Sequence, residues 1–224
     1  MRHQFFSKYI STPSKMLGLA LMLVLVGCGE GEKVETKGLL RPGVVALLRA
    51  FDRNYEYELQ RVKGGVTSWD VIWEGQSVAQ RNYYRGLFTL MGTSNANRYT
   101  NDIDETKIDA LFPMAVGKET SFFGKRKNLA SGELLDFWTY YSVLEKTSIE
   151  ISNGRYEVFV VQMITETKTA SGTNRNVRKL WYSPALEFTL RGWSESGDQT
   201  MDWIVTGFTT TSKASRRRVG TVMI

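Results

Sequence analysis

A hairpin in the second half of the chain decides the fold of this sequence. The turn signal Asn153-Gly154 is followed by the run Tyr156-Glu-Val-Phe-Val-Val-Gln-Met-Ile-Thr165. Asn-Gly accepts a positive φ at both central positions of a two-residue turn, so the pair predicts a β-hairpin. The run after it is apolar on both alternating faces, which is typical of a central strand. We therefore expect an antiparallel sheet that extends outward from this hairpin.

Further turn signals surround this hairpin. They lie at Gly64-Gly65, Glu74-Gly75, Ser131-Gly132, 170–174 and Ser196-Gly197-Asp198. Apolar and polar residues alternate between them, as at Tyr55, Tyr57 and Leu59, and this period of two indicates half-buried strands. We expect about eight to ten strands from this spacing. The predicted fold class is mainly β, with a single meandering antiparallel sheet curled into a barrel or half-barrel and one or two short helices.

Two segments predict the short helices. In Leu39 to Phe51, Pro42 suits the first position of a helix and the apolar residues are spaced to share one face. In Thr106 to Pro113, Thr106 and Asp109 have the spacing of a capping box, and the proline ends the segment.

Three other segments have no clear period. Residues 76–91 fit neither a strand nor a helix, and the polar residues 92–105 predict a long loop. Within that loop, the acidic run 101–105 offers oxygens to Ca²⁺ but lacks the spaced glycine and terminal glutamate of an EF-hand, so we expect no metal site. The C-terminal residues 215–224 predict an edge strand.

The N-terminal segment has the layout of a secretion signal. Arg2, Lys8 and Lys15 precede an apolar run of eleven residues from Met16 to Val26. A helix of that length covers about half of the ~30 Å hydrocarbon core, so it is too short for a stable membrane span.

The stretch Leu25-Val26-Gly27-Cys28 resembles the bacterial lipobox. The resemblance implies that residues 1–27 are a lipoprotein signal peptide and that Cys28 is acylated (palmitate is one such chain). The polar, Gly-rich residues 29–38 predict a flexible tether over 28–40, including the acylated cysteine, followed by one β-rich domain over 41–224. Because Gly29 stands where aspartate would favour the inner membrane, the resemblance implies the outer membrane and its periplasmic face. An ordinary signal peptide or a core cysteine is the alternative.

Composition narrows the chemistry of the mature chain. The sole histidine, His3, lies in the leader, and the sole cysteine is Cys28. Catalysis by Ser-His-Asp or Cys-His, histidine zinc sites and disulfides are therefore excluded for the mature chain. After removal of the leader, 26 Lys and Arg oppose 23 Asp and Glu, so no nucleic-acid partner is expected. We also expect no cofactor.

Two motifs stand out, 111–118 (Leu-Phe-Pro-Met-Ala-Val-Gly-Lys) and Trp181-Tyr182-Ser183-Pro184. In both, the sequence resembles β-rich bacterial envelope proteins and, through them, lipoprotein-carrier folds. The resemblance implies a curved antiparallel sheet closed by helices over an apolar cavity, and it assigns no functional residue. A structural role, in which aromatics pack and Pro184 ends a strand, is the alternative.

Tryptophan is the candidate lining of such a cavity. Five of the six tryptophans are predicted ligand-lining residues: Trp69, Trp73, Trp138, Trp181 and Trp203. The same residues could instead fill a packed barrel, as side chains do in small barrels.

The sequence thus predicts a non-enzymatic, lipid-anchored envelope protein with no catalytic residues. It would bind an apolar ligand inside the sheet or a partner protein on its surface. The alternative is a carboxylate-dependent hydrolase acting on cell-wall material, which requires a pair of acidic residues in a cleft.

Overall fold

A computed structural model describes residues 40–94 and 97–210 and shows one closed, twelve-stranded antiparallel barrel. Consecutive strands pair with one another, and the first pairs with the last. The elements are β1 (Val44–Ala50), β2 (Arg53–Lys63), β3 (Val66–Trp73), β4 (Gln76–Tyr84), β5 (Phe88–Ser94), β6 (Arg98–Ile103), α1 (Glu105–Asp109), β7 (Glu119–Asn128), β8 (Leu134–Ile151), β9 (Gly154–Thr169), β10 (Gly172–Ser183), β11 (Phe188–Ser196) and β12 (Gln199–Thr210).

The predicted fold class is confirmed, and the sheet is a full barrel rather than a half-barrel. The predicted turn signals all lie between paired strands, including Asn153-Gly154 at the start of β9. The predicted signal peptide 1–27, Cys28, its tether up to residue 39 and the C-terminal edge strand 215–224 lie outside the described residues.

The predicted helix over Leu39 to Phe51 is wrong, because this segment contains β1. Val44, Val45 and Ala46 are 2, 2 and 0 % exposed, so three consecutive residues are buried. The segment therefore lacks the alternation of apolar and polar residues by which a half-buried strand is predicted. The strand is fixed instead by its pairing to β12, about 160 residues away in the chain, from Val44 against Thr210 to Ala50 against Trp203.

The second predicted helix is confirmed as α1, but its cap differs. Asp104 is the N-cap and accepts a hydrogen bond from the backbone N–H of Thr106 at 3.1 Å. The prediction of a loop over 92–105 is wrong, since it holds the end of β5 and all of β6. Pairing of β6 to β7, from Tyr99 with Asn128 onward, orders this polar stretch.

The barrel has two different ends. The turns after β1, β3, β5, β7, β9 and β11 lie at one end, which we call the open end. The turns after β2, β4, β8 and β10 lie at the other, the closed end, together with residues 104–118. Because β1 begins at the closed end, the described chain enters the barrel there.

The tip of the β8–β9 hairpin forms part of the closed end. These two strands are longer than their neighbours, and their turn reaches across to β12. The N–H of Ser152 donates to the carbonyl oxygen of Thr206 at 3.0 Å, and the side-chain amide of Asn153 both donates to and accepts from the backbone of Phe208. Tyr156 then packs its ring edge against Phe208.

The connection from β6 to β7 forms the rest of the closed end. Ile108 and Leu111 are fully buried in an apolar cluster with Tyr182, and the ring of Phe112 meets that of Tyr182 edge-on at 5.8 Å. Within 40–94 and 97–210, none of the helical structure is long and apolar enough to span a membrane.

A candidate ligand-binding lumen

Two adjacent cavities occupy the barrel interior and extend toward the open end. One has a volume of about 330 Å³ and lies among β5 to β11. The other has a volume of about 480 Å³ and lies among β1 to β6 and β10 to β12. They share four lining residues, Leu87, Thr89, Tyr99 and Arg178. We call the two cavities together the lumen site.

Three arginines point into the lumen site. Arg81 on β4 and Arg126 on β7 each line one cavity, and Arg178 on β10 lines both. Strand alternation places them there, since successive side chains point to opposite faces of a sheet. The lysines that follow two of them, Lys127 and Lys179, are accordingly exposed.

Arg126 is held in a fixed orientation by three groups. Its Nε–H donates to the Oδ1 of Asn101 at 2.9 Å, and its guanidinium lies 4.8 Å from the ring centre of Tyr99 and 5.9 Å from that of Phe137. Burial lowers the pKa of Arg126, and the positive charge of Arg178 lowers it further. An arginine nevertheless stays protonated in proteins, so the lumen keeps this charge.

The other two arginines are also bound by neutral groups. The Nε–H of Arg178 donates to the Oδ1 of Asn176 at 2.8 Å. One Nη of Arg81 donates to the backbone carbonyls of Gln80 and Thr93 at 2.8 and 2.7 Å. None of the three arginines forms an ion pair within the described residues.

The lining of the lumen site contains no carboxylate among the residues that the structure describes. Its remaining polar groups are neutral hydroxyls and amides. Those on the inner face of the β9–β10 hairpin are Thr165, Thr167, Thr169, Asn174 and Asn176. On the opposite wall, burial raises the pKa of the Tyr57 and Tyr83 hydroxyls, which therefore stay neutral at physiological pH. The lumen site thus combines apolar side chains with neutral polar groups and positive charge.

Glycines opposite aromatic residues shape this wall. Gly92 pairs with Tyr99 across β5 and β6, and a Cβ on Gly92 would lie 2.7 Å from the tyrosine ring. Gly192 is covered in the same way by Trp203 on β12. The missing side chain lets each ring lie flat along the wall and leaves the centre of the lumen open.

At the closed end, by contrast, an arginine is fully paired. Arg85, in the turn after β4, contacts Asp109 and Glu187 at 3.0 Å each and lies 5.4 Å from the ring centre of Phe112. The hydroxyl of Tyr84 also donates to Asp109 at 2.8 Å. The ion pairs with the two acids raise the pKa of Arg85.

The two motifs that stand out in the sequence meet at this closed end. Phe112 belongs to the first and Tyr182 to the second, and their rings are in contact. Pro184 follows the last residue of β10 and accepts a backbone hydrogen bond from Glu187. This packing gives both motifs a structural role at the base of the barrel.

The predicted ligand-lining tryptophans are distributed over the whole barrel. Trp203 lines the lumen site, as does Trp193, which the prediction left out. Trp69 is buried against Phe188 with ring centres 4.7 Å apart. Trp73 lies under Arg53, Trp181 under Arg191, and Trp138 lines a groove on the outer face. The structure brings only Trp203 of the five to the lumen site, and ligand contact by any of them stays a prediction.

The outer groove is the third cavity, with a volume of about 820 Å³. Phe123, 80 % exposed, and Trp138 give it an apolar floor, and four acids line it: Asp102, Asp104, Asp136 and Glu166. Over the described part of the chain, no three acidic, histidine or cysteine residues come together as metal ligands would.

The sequence analysis missed the lumen arginines, although a signal for them exists. Arg126 has the same alternation phase as buried Phe122, and Arg178 the same phase as buried Leu180 and Tyr182. Because alternate residues of a strand share a face, these apolar positions predict that both guanidiniums point into the barrel. The curvature that closes the barrel around them has no comparable local signal.

Comparison with known proteins identifies the fold. No family model matches the sequence, and no curated protein matches it. Among solved structures, the chain is similar to YmcC from Escherichia coli (K12), described as a hypothetical lipoprotein, with a TM-score of 0.54 and 10 % identity over 79 % of this chain and 90 % of that one. This chain therefore shares the YmcC-like barrel.

Two further structures overlap less closely. One is a protein from Bacteroides fragilis NCTC 9343, described as exported and YmcC-like in fold, with a TM-score of 0.44 and 9 % identity over 76 % of this chain and 97 % of that one. The other is from Parabacteroides distasonis ATCC 8503, described as a lipoprotein, with a TM-score of 0.43 and 10 % identity over 75 % and 96 %.

Proposed function

We propose that this chain is a lipoprotein of the bacterial cell envelope that binds a ligand in its barrel and catalyses no reaction. Acylated Cys28 would anchor it in the outer membrane, with the barrel in the periplasm. The lipobox supports the anchor, and the fold shared with YmcC, itself described as a lipoprotein, agrees with an envelope location.

The observation that carries the proposal is the position of the lumen site. It extends toward the open end, while the described chain enters the barrel at the closed end. If residues 28–40 form the predicted tether, a flexible chain of that length has an r.m.s. span near 20 Å. Such a tether would hold the closed end toward the membrane and leave the mouth of the lumen accessible to ligands.

The lining of the lumen favours a polar ligand over the purely apolar one that the sequence suggested. Hydroxyls and arginines lie among the lining residues of both cavities, with amides in the smaller one, and an apolar ligand would leave their remaining hydrogen-bond donors without a partner. Trp203, Tyr99 and Phe137 add ring faces for the apolar parts of such a ligand.

Two measurements test this proposal. For the anchor, the full-length protein is expressed in a Gram-negative host, and its acyl mass and membrane fraction are compared with those of Cys28→Ser. Acyl mass on the wild type alone supports the proposal; a wild type without acyl mass contradicts it.

For the ligand, native mass spectrometry of the full-length protein, released from detergent, measures retained small molecules. A one-to-one adduct that is lost in Trp203→Ala and kept in Trp73→Ala supports binding in the lumen. Equal retention by both variants contradicts it, as does a bare protein mass in a protein that also binds no added ligand.

A partner protein is the second candidate, because Phe123 is 80 % exposed beside the outer groove. Crosslinking from position 123 in intact cells tests it, with exposed Val62 on β2 as the control position. The alternative of a cell-wall hydrolase would have to use the acids of the same groove, since no carboxylate of the described residues lines the lumen. Release of soluble fragments from purified peptidoglycan by the wild type, and not by Asp136→Asn or Glu166→Gln, would favour that alternative.

A further inference from the structure

We propose that the lumen site binds an organic anion, a polar molecule with a carboxylate or phosphate group, through Arg126 and Arg178. Arg81 provides a third positive charge in the adjoining cavity. This inference names the ligand class of the lumen site and so rests on the proposed function.

The positive charges of Arg126 and Arg178 are not compensated by an ion pair with another described residue. Arg126 and Arg178 line the same cavity, and the positive charge of Arg178 adds to the burial that lowers the pKa of Arg126. The ion pairs of the described residues all involve other cations, at Arg85, Lys146, Arg175 and Arg191. Like charges in a partly desolvated interior destabilise a fold unless an opposite charge joins them. A bound anion would supply that charge.

The orientation of the donors is a second argument for an anion. Both arginines use Nε–H to bind an asparagine, Asn101 for Arg126 and Asn176 for Arg178. Their terminal Nη groups make no hydrogen bond to any other described residue. An arginine fixed through Nε presents its Nη pair to carboxylate or phosphate oxygens with little loss of side-chain entropy.

Neighbouring residues hold Arg126 and its asparagine partner in place. Asn101, which orients Arg126, is itself held by donating to the carbonyl oxygen of Thr89 at 2.7 Å. Tyr99 and Phe137 pack on the same guanidinium, and Gly92 leaves the space that the Tyr99 ring occupies. A lone solvent-exposed arginine needs none of these contacts, whereas a binding site requires its donors to be held in place.

The volume and the polar groups of the lumen site limit the size and chemistry of the rest of the ligand. Volumes of about 330 and 480 Å³ fall in the range of small-molecule sites. The threonines and asparagines of the β9–β10 hairpin, the hairpin that also carries Arg178, add hydroxyls and amides and no negative charge. A small molecule with hydroxyl groups and one anionic group satisfies both the arginines and these neutral groups.

Isothermal titration of the full-length protein in detergent tests this inference with four probes. Citrate carries carboxylates, glucose 6-phosphate carries phosphate on a polar ring, and glycerol 3-phosphate presents the phosphate of a lipid head group. Glucose is the neutral control. We expect at least one anionic probe to bind with a Kd below about 1 mM and glucose to bind at least about tenfold more weakly. A preference for glycerol 3-phosphate would assign the anion to a lipid, and a preference for glucose 6-phosphate or citrate to a soluble molecule.

The variants are matched in charge and position. Arg126→Gln and Arg178→Gln should each weaken the anionic probe by at least about tenfold, since each removes a charge-assisted contact. Lys127→Gln and Lys179→Gln remove the same charge one residue away on the outer face and should change the Kd by less than about twofold. Circular dichroism confirms that all four variants fold.

Three outcomes would overturn the inference. They are equal binding of glucose and the anions, equal weakening by the lysine and arginine variants, and the absence of binding by all three anions. If native mass spectrometry still shows a lumen ligand in any of these cases, the proposed binding function stands and the anionic class is wrong. A bare protein mass in native mass spectrometry, together with no binding of any probe in the titration, contradicts the proposed function itself.

Discussion

Arginine has opposite surroundings at the closed end of the barrel and in the lumen site. At the closed end, Arg85 contacts two carboxylates and an aromatic ring. In the lumen site, Arg126 and Arg178 each contact an asparagine and Arg126 also two aromatic rings, and neither forms an ion pair with a described carboxylate. The first arrangement is complete within the protein and serves stability. The second leaves positive charge that the proposed ligand would neutralise.

This difference distinguishes residues with a structural role from those that we assign to ligand binding. The motifs that stand out in the sequence pack at the closed end, where they stabilise the base. The residues that we assign to binding are single arginines within ordinary strands, and the sequence around them is not unusual. In a barrel of this kind, charge balance is a better guide to the site than local sequence patterns.

The largest effect that we predict is at the closed end, in Gly86→Ala. Gly86 has φ +62°, and a Cβ there would overlap the carbonyl oxygen of Glu187 in the neighbouring turn. We expect the free energy of unfolding in urea to fall by more than about 3 kcal/mol. Gly75→Ala is the control, because its φ is +77° but no atom lies within 4 Å, so it should cost about 1 kcal/mol. Equal losses would mean that the turns after β4 and β10 are not in close contact at Gly86 and Glu187.

The next effect is a loss of stability in alkali. Burial raises the pKa of Tyr141 and Tyr182. The folded protein therefore keeps these protons while the unfolded chain loses them from about pH 10. The unfolding free energy is unaffected by these groups below pH 10 and falls above it, by about 1.4 kcal/mol per pH unit for each. Absorbance of tyrosinate that rises together with the unfolding signal, rather than before it, is the expected result. Full ionisation of every tyrosine in the folded barrel would contradict the burial.

A direct comparison of the two kinds of arginine comes third. Arg85→Gln removes two ion pairs, and because Asp109 and Glu187 are 40 and 42 % exposed, screening limits the loss to about 1 to 2 kcal/mol. Arg178→Gln removes a repulsion instead and should leave stability unchanged or higher, within about 0.5 kcal/mol of wild type. Urea unfolding of the ligand-free proteins measures both. A larger loss in Arg178→Gln than in Arg85→Gln would show that the lumen arginine is structural and would remove the contrast between the two ends.

The smallest effect separates two tyrosine hydroxyls of the closed end. The hydroxyl of Tyr182 is buried without a hydrogen-bond partner among the described residues, so Tyr182→Phe should change stability by less than about 0.5 kcal/mol or increase it. Tyr84→Phe loses a hydrogen bond to Asp109 and should cost about 1 kcal/mol. Thermal unfolding of the two variants side by side decides this, and a greater loss in Tyr182→Phe would point to a partner for that hydroxyl.

The sequence predicted the hairpins and the fold class where the signals are local. Asn153-Gly154 and Gly64-Gly65 lie at turns because a two-residue turn depends on its own φ values. It failed at β1, where buried residues follow one another directly, and at β6, where polar residues form a strand. Both strands depend on partners elsewhere in the chain, and β6 also on Asn101, whose side chain binds Arg126 and Thr89 inside the barrel.

By itself the sequence determined a β-rich meander, its turns, the helix α1 and, over residues 40–224, a chemistry without histidine or cysteine. These features follow from residue types and from the backbone preferences of neighbouring residues. Only the tertiary structure decided that the sheet closes, that the base is filled, and that Arg81, Arg126 and Arg178 share a lumen whose described lining residues include no carboxylate. Closure depends on the register between β1 and β12 at opposite ends of the chain. The charge of the lumen is likewise the sum of side chains from separate strands, which no local stretch of sequence contains.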